Sequence, residues 1–232
     1  MKRLNNSGFT IIETMLFLGI SGLLIFGVMA GVGSSINAQR YRDSVVSLQS
    51  ILQKQYSEVA NVNNSGGQSC GATAANRGQS ECVIIGRYIT TDDGRVLTIK
   101  TVYLDKMPST SAGKDDIVIL DSSSGVRFKT FNTPETYEAE WGVSLNPMAF
   151  SILIIRSPSS GVIKTFIDSS RSLADGDIQS LVNAINLKSP NDIVKICVKP
   201  EGLFNGTPSA VIVNAGATNA SGVETKGDNS EC

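Results

Sequence analysis

The chain is predicted to be α+β: a long N-terminal α-helical spine, over about residues 9–61, packed on an antiparallel β-sheet head. Three features predict this. No charged residue lies between Glu13 and Arg40, so the chain begins with an apolar run longer than the roughly 20 residues a bilayer-spanning helix needs. Next, Tyr41, Val45, Leu48, Leu52, Tyr56 and Val59 recur at spacings of four and three, the period of one helix face. Beyond 61, short β-branched and aromatic runs alternate with Gly, Ser, Asp and Asn clusters, the pattern of antiparallel hairpins.

Taken in order, residues 1–8 are a short basic leader, and residues 9–36 form the half of the helix suited to a membrane or a filament core, apolar all round. Gly19, Gly22, Gly27, Gly31 and Gly33 interrupt it, and Gly27 and Gly31 make a GxxxG spacing that lets helices approach closely in lipid. Residues 37–61 are the amphipathic half. Arg40, Asp43, Gln49, Gln53, Lys54 and Glu58 fall off the apolar stripe, which should pack on the head; a helix–helix seam between subunits is the alternative. At about 1.5 Å per residue the whole spine would run about 80 Å.

Residues 62–232 form the head. An Asn-, Gly- and Ser-rich loop reaches 79, and strands are expected at 82–90, 95–104, 116–121, 126–131, 137–145, 150–157 and 162–168. Turn clusters such as Thr91-Asp92-Asp93-Gly94 and Pro158-Ser159-Ser160-Gly161 separate them, and the stretch 150–166 reads as a strong hairpin. A short helix is expected at 177–186, with closing strands at 193–198 and 210–213. The polar, Gly-rich stretch 214–232 is expected to be poorly ordered except where Cys232 pins it.

Composition removes several functions. Histidine is absent, which excludes Ser-His-Asp and Cys-His catalysis. No phosphate-binding loop of the Walker type is present. Asp175-Gly176-Asp177 and Asp92-Asp93-Gly94 lack the six to eight oxygens of a calcium loop; a helix N-cap and a hairpin turn explain them. A zinc site usually pairs cysteines two to four residues apart, and Cys70, Cys82, Cys197 and Cys232 are not so spaced. Lys188, Lys195 and Lys199 are a modest basic concentration, but the tail, with Glu224, Asp228 and Glu231 against Lys226, is net acidic. No nucleic-acid footprint is visible. No enzyme activity, metal or cofactor is expected.

The acid in the apolar run requires an explanation. A charge at membrane depth costs roughly 2.5–3.5 kcal/mol on insertion scales, and such residues are functional by default. Lys2-Arg3 followed by Gly8-Phe9-Thr10-Ile11-Ile12-Glu13-Thr14-Met15-Leu16 resembles the class III leader of type IV pilins and of the pseudopilins of type II secretion, over Lys2 to about Leu24. The resemblance implies cleavage between Gly8 and Phe9 by a prepilin peptidase and N-methylation of Phe9. It also implies that Glu13 neutralises the Phe9 amine of a neighbouring subunit as the filament grows, since a buried charge is tolerated when paired.

Implied partners are other pilin subunits, the peptidase, a membrane assembly platform and, before assembly, membrane lipid. The implied location is the cytoplasmic membrane, single-pass with an extracytoplasmic head, and then a cell-surface filament. Many major pilins have a proline near the twenty-second mature position. This chain has Ala30 there, and its glycines could loosen the helix instead. That departure, the long head and a weaker similarity of the 150–166 hairpin to the transverse-sandwich group point to a minor pilin. A type II secretion pseudopilin and a non-polymerising membrane-anchored adhesin or binding domain are the alternatives. In an extracytoplasmic head, four cysteines favour disulfides, with three possible pairings. Cys70–Cys82, closing a short loop, and Cys197–Cys232, resembling the disulfide-bounded C-terminal region of many pilins, are the favoured pairs.

Overall fold

The structure is a computed structural model, and it describes residues 10–61, 83–104, 128–131, 133–157, 160–168, 193–200, 207–227 and 232. The strands expected at 116–121 and the helix at 177–186 lie outside the described residues.

A single α-helix, α1, runs Ile11–Ala60, about 75 Å at about 1.5 Å per residue. Thr10 caps its start in an extended conformation, its hydroxyl accepting from the Glu13 N–H at 3.4 Å. At the far end the Asn61 N–H reaches Ser57 O at 3.0 Å, and Arg156 Nη1 donates to Ala60 O at 2.9 Å. That guanidinium satisfies a carbonyl left over at the helix C-terminus and places a cation at the negative end of its dipole.

Among the described residues ten strands follow: β1 Val83–Thr91, β2 Val96–Leu104, β3 Phe128–Thr130, β4 Glu135–Glu138, β5 Ser144–Asn146, β6 Phe150–Arg156, β7 Ile163–Asp168, β8 Ile193–Lys199, β9 Ser209–Asn214 and β10 Val223–Lys226. They form two sheets, and every pairing is antiparallel. The first has the order β3-β2-β1-β6-β7, with β4 also paired to β2; the second has the order β10-β9-β8-β5. Because β3 meets β2 at Val102–Leu104 and β4 meets it at Val96–Ile99, the two short strands lie end to end along one edge.

The expected 150–166 hairpin is present as β6 and β7, with Arg156 opposite Ile163. Central β6 is apolar nearly throughout because both its faces are covered. Phe150, Ile152 and Ile154 join the cluster beneath α1, while Leu153 and Ile155 join a second cluster with Tyr88, Val102 and Phe166. On β1 the register shifts between Ile84 and Gly86. A Cβ at Gly86 would overlap the Ile154 carbonyl and Ile155, so close backbone approach at this bulge requires glycine.

The core lies where α1 meets both sheets. Tyr41, Val45, Leu48, Leu52, Tyr56 and Val59 are all buried there, against Leu97, Ile152 and Ile167 of the first sheet and Val194, Ile196 and Val211 of the second. Polar groups fix the register. Tyr41 Oη donates to Val198 O at 2.7 Å and accepts from Ser209 N at 2.6 Å. Gln49 and Gln53 both donate to Val223 O. Tyr56 Oη lies 2.8 Å from Thr165 Oγ1, which donates onward to Ala217 O at 2.8 Å. Arg87 of β1 pairs with Glu58 of α1 and with Glu135 of β4.

Two expectations are corrected. The strand expected at 137–145 is two strands in different sheets, separated by a 3-10 turn at Glu140–Gly142. Trp141 (φ 59) and Gly142 (φ 70) both adopt left-handed backbone there, which turns the chain out of the first sheet. The tail expected to be poorly ordered contains a 3-10 turn at Ala220–Gly222 and strand β10, which pairs with β9 from Val223 opposite Val213 to Lys226 opposite Ala210. Strand pairing is made by the backbone, so one buried side chain, Val223, suffices to seat an otherwise polar segment.

Candidate functional site: the N-terminal half of the helix

The two halves of α1 have opposite environments. From Tyr41 onward the stripe is buried in the head. From Ile11 to Ile36 the large apolar side chains, including Phe17, Leu24, Phe26 and Met29, are exposed, and the most apolar stretch has none of its residues buried. An exposed apolar surface of this extent marks contact with a membrane or with another protein. By length and composition α1 is able to cross a membrane once.

Lengths agree with such a crossing. The charge-free stretch from Thr14 to Gln39 covers roughly 26 residues, or about 39 Å of helix. A bilayer with its headgroups is about 40–45 Å thick. In such a crossing Glu13 and Arg40 would fall at the two polar boundaries, where a charge is far less costly than at the midplane.

Glu13 occupies the first turn of α1, exposed, near the positive end of the helix dipole. With Thr10 it forms the Thr-x-x-Glu spacing of a capping box, in which the hydroxyl accepts from the N3 amide and the N3 acid reaches back toward the cap. Only the first of these bonds is made here, at 3.4 Å. That local role was legible in Thr10-Ile11-Ile12-Glu13 and was missed because the leader pattern explained the same residues. Gly8 and Phe9 lie outside the described residues.

The glycines add a second observation. A Cβ at Gly19, Gly22, Gly27, Gly31 or Gly33 would meet nothing within 4 Å. Each glycine weakens a helix by roughly 1 kcal/mol relative to alanine, and nothing packed among the described residues requires it. The helix is nonetheless continuous through Ala30.

Of the cysteines, Cys197 of β8 is joined to Cys232, with Cα atoms 5.6 Å apart across a sequence separation of 35. The disulfide returns the chain end to the second sheet beyond β10. Cys70 and Cys82 lie outside the described residues. Asp92 and Asp93 sit in the β1–β2 turn. There Asp93 Oδ1 accepts from Arg95 N at 2.8 Å and Val96 N at 2.9 Å, and these backbone bonds hold its carboxyl below the usual range. The carboxylate is committed to the turn. Among the described residues no group of three or more Cys, Asp or Glu side chains is placed to hold a metal ion.

Comparison with protein-family models, curated proteins and solved structures yields no match.

Proposed function

We propose that this chain is a structural subunit of a type IV pilus-like filament, a minor pilin. It is cut between Gly8 and Phe9 by a prepilin peptidase, N-methylated at Phe9, held in the cytoplasmic membrane by the first half of α1, and assembled from there with other pilin subunits through a membrane platform. The observation that carries this reading is the division of one unbroken helix. Its stripe from Tyr41 to Val59 is buried in the head, while its first half is exposed among the described residues. An apolar rod of that kind can occupy a bilayer and then pass into a filament core, because both surround it with apolar surface. The glycines support the same reading, since they permit close helix approach and no neighbour among the described residues uses them. In the filament, Glu13 neutralises the Phe9 amine of an adjacent subunit.

One observation favours a second reading. Thr10 caps α1 through the Glu13 N–H, and the Glu13 carboxylate stands in the first turn near the positive end of the helix dipole; that local role would be enough in a membrane-anchored domain that never polymerises. Two measurements separate the readings. Intact-mass analysis after co-expression with a prepilin peptidase should show loss of residues 1–8 and one added methyl on Phe9. An unprocessed N-terminus, or cleavage after Ala30, would sink the pilin assignment. The observed cap uses the backbone N–H of residue 13, and glutamine suits this N3 position as glutamate does, so Glu13→Gln keeps the cap and removes the charge. A filament subunit should fail to incorporate with Gln as with Ala, whereas a plain anchor should tolerate Gln.

A further inference from the structure

The chain has a single tryptophan, Trp141, and its placement is not explained by the packing of the head. It sits in the turn between β4 and β5 with φ 59, a region that bulky side chains rarely adopt. The residue is 50 % exposed, so this unfavourable backbone does not serve to bury it. Backbone held in such a conformation points toward a use for the residue so displayed.

Contacts along α1 fix the level of this turn. Tyr137 Oη donates to Ser47 Oγ, Ser44 Oγ lies 3.1 Å from Glu140 O, and the Arg40 guanidinium lies 4.8 Å from the centre of the Trp141 ring. The segment therefore descends the helix toward its apolar half, and Trp141 is at the bottom, beside the first charge after the span. Arg40 is one helical turn, about 6 Å, beyond Ile36. Two more exposed cations share this level: Arg42, and Lys199, which follows the carbonyl that Tyr41 binds. Among the described residues Asp43 and Glu140 are the acids there, and Glu140 Oε1 accepts from Ser47 Oγ.

We infer that Trp141 and Arg40 form a foot by which the head rests on the phospholipid headgroup layer of the membrane that its own helix spans. Three features fit that occupant. Tryptophan favours the headgroup level because its ring is apolar and its N–H polar. Arginine reaches phosphate while its stem lies along apolar surface. The helix lengths given above independently place Arg40 in that layer. The foot rests on the membrane-anchored part of the proposed function and needs neither cleavage nor polymerisation. It holds the head at one height and tilt while the subunit waits in the bilayer.

Because the tryptophan is unique, its fluorescence reports this site alone. The full chain is reconstituted in vesicles of phosphatidylcholine and phosphatidylglycerol. Tryptophan emission is then measured with quenchers attached either to the headgroup or near the ends of the acyl chains. Headgroup quenchers should act at least about twofold more strongly than deep ones, and emission should shift to the blue relative to the chain in aqueous urea. In a Trp141→Phe, Val46→Trp variant the reporter moves about 9 Å up the exposed face of α1, and headgroup quenching should fall away. Vesicle flotation tests anchoring separately. A chain that floats but shows water-exposed, unquenched Trp141 overturns the foot and leaves the anchor standing; one that does not float overturns both. A blue shift that follows protein density in the vesicle but is insensitive to headgroup quenchers would assign the ring to a second copy of the chain and overturn the lipid contact.

Discussion

Leu24 and Leu52 lie on the same helix, and truncating each to alanine makes the same chemical change in two environments. Leu52 is 1 % exposed within the cluster that joins α1 to both sheets, whereas Leu24 is 63 % exposed. At Leu52 the lost transfer energy of about 0.8 kcal/mol per methylene is joined by the energy of a cavity that the surrounding strands close only in part. The expected loss is about 2.5–5 kcal/mol. For a head of this size, with a melting shift of roughly 2–4 °C per kcal/mol, the transition should fall by roughly 5–20 °C. At Leu24 no partner within the chain is lost, and alanine is as good a helix former as leucine, so the head should change by less than about 0.5 kcal/mol. Urea unfolding of the full chain in mild detergent, followed by near-ultraviolet circular dichroism of the head, measures both. Equal losses for the two variants, or an unchanged midpoint for Leu52→Ala, would refute the division of α1 into an externally solvated half and a core half.

Two further predictions concern the head. Burial pushes the Tyr56 phenol up to about 12, with the Thr165 hydroxyl offsetting part of the effect, so the folded state holds this proton more tightly than the unfolded chain, in which tyrosine ionises near about 10. The associated stability is therefore complete below about pH 10 and is lost as pH rises through about 12, a change of roughly 2–3 kcal/mol; burial also raises Tyr137, with the same sign. Tyr56→Phe should flatten the stability profile across that window, and profiles of equal slope would refute the assignment. Replacing Cys197 and Cys232 together with serine opens a closure of 35 residues in sequence, for which chain entropy predicts a loss of about 3–4 kcal/mol. Thermal denaturation of the double variant checks this, and amide exchange in β10 should quicken; an unchanged transition would mean that β10 pairing alone holds the tail.

Features set by neighbours close in sequence were legible from the residues. The helix expected over 9–61 is α1, Ile11–Ala60, and all six apolar stripe residues are buried, because a 3.6-residue period states which face must be covered. The 150–166 hairpin was equally readable, since two apolar runs around a Ser/Gly turn have one economical pairing. The Cys197–Cys232 pair was favoured by resemblance but not dictated by spacing, because four cysteines permit three connectivities. The split of 137–145 escaped notice because Trp141 carries a left-handed backbone that its residue type does not announce. β10 escaped because a sheet edge selects a partner by backbone hydrogen bonds, leaving little trace in Val223-Glu224-Thr225-Lys226.

The sequence by itself determined the helix, the charge-free interval between Glu13 and Arg40, and the apolar strand-forming runs such as the 150–166 hairpin, all properties of local composition and period. Only the tertiary structure decided which sheet each strand joins, that Val223 closes the core against Gln49 and Gln53, and that Trp141 stands beside Arg40 of α1. Those outcomes depend on pairs of residues far apart in the chain. Their energies come from surfaces that exist only after the helix has met both sheets, so no local pattern in the chain encodes them.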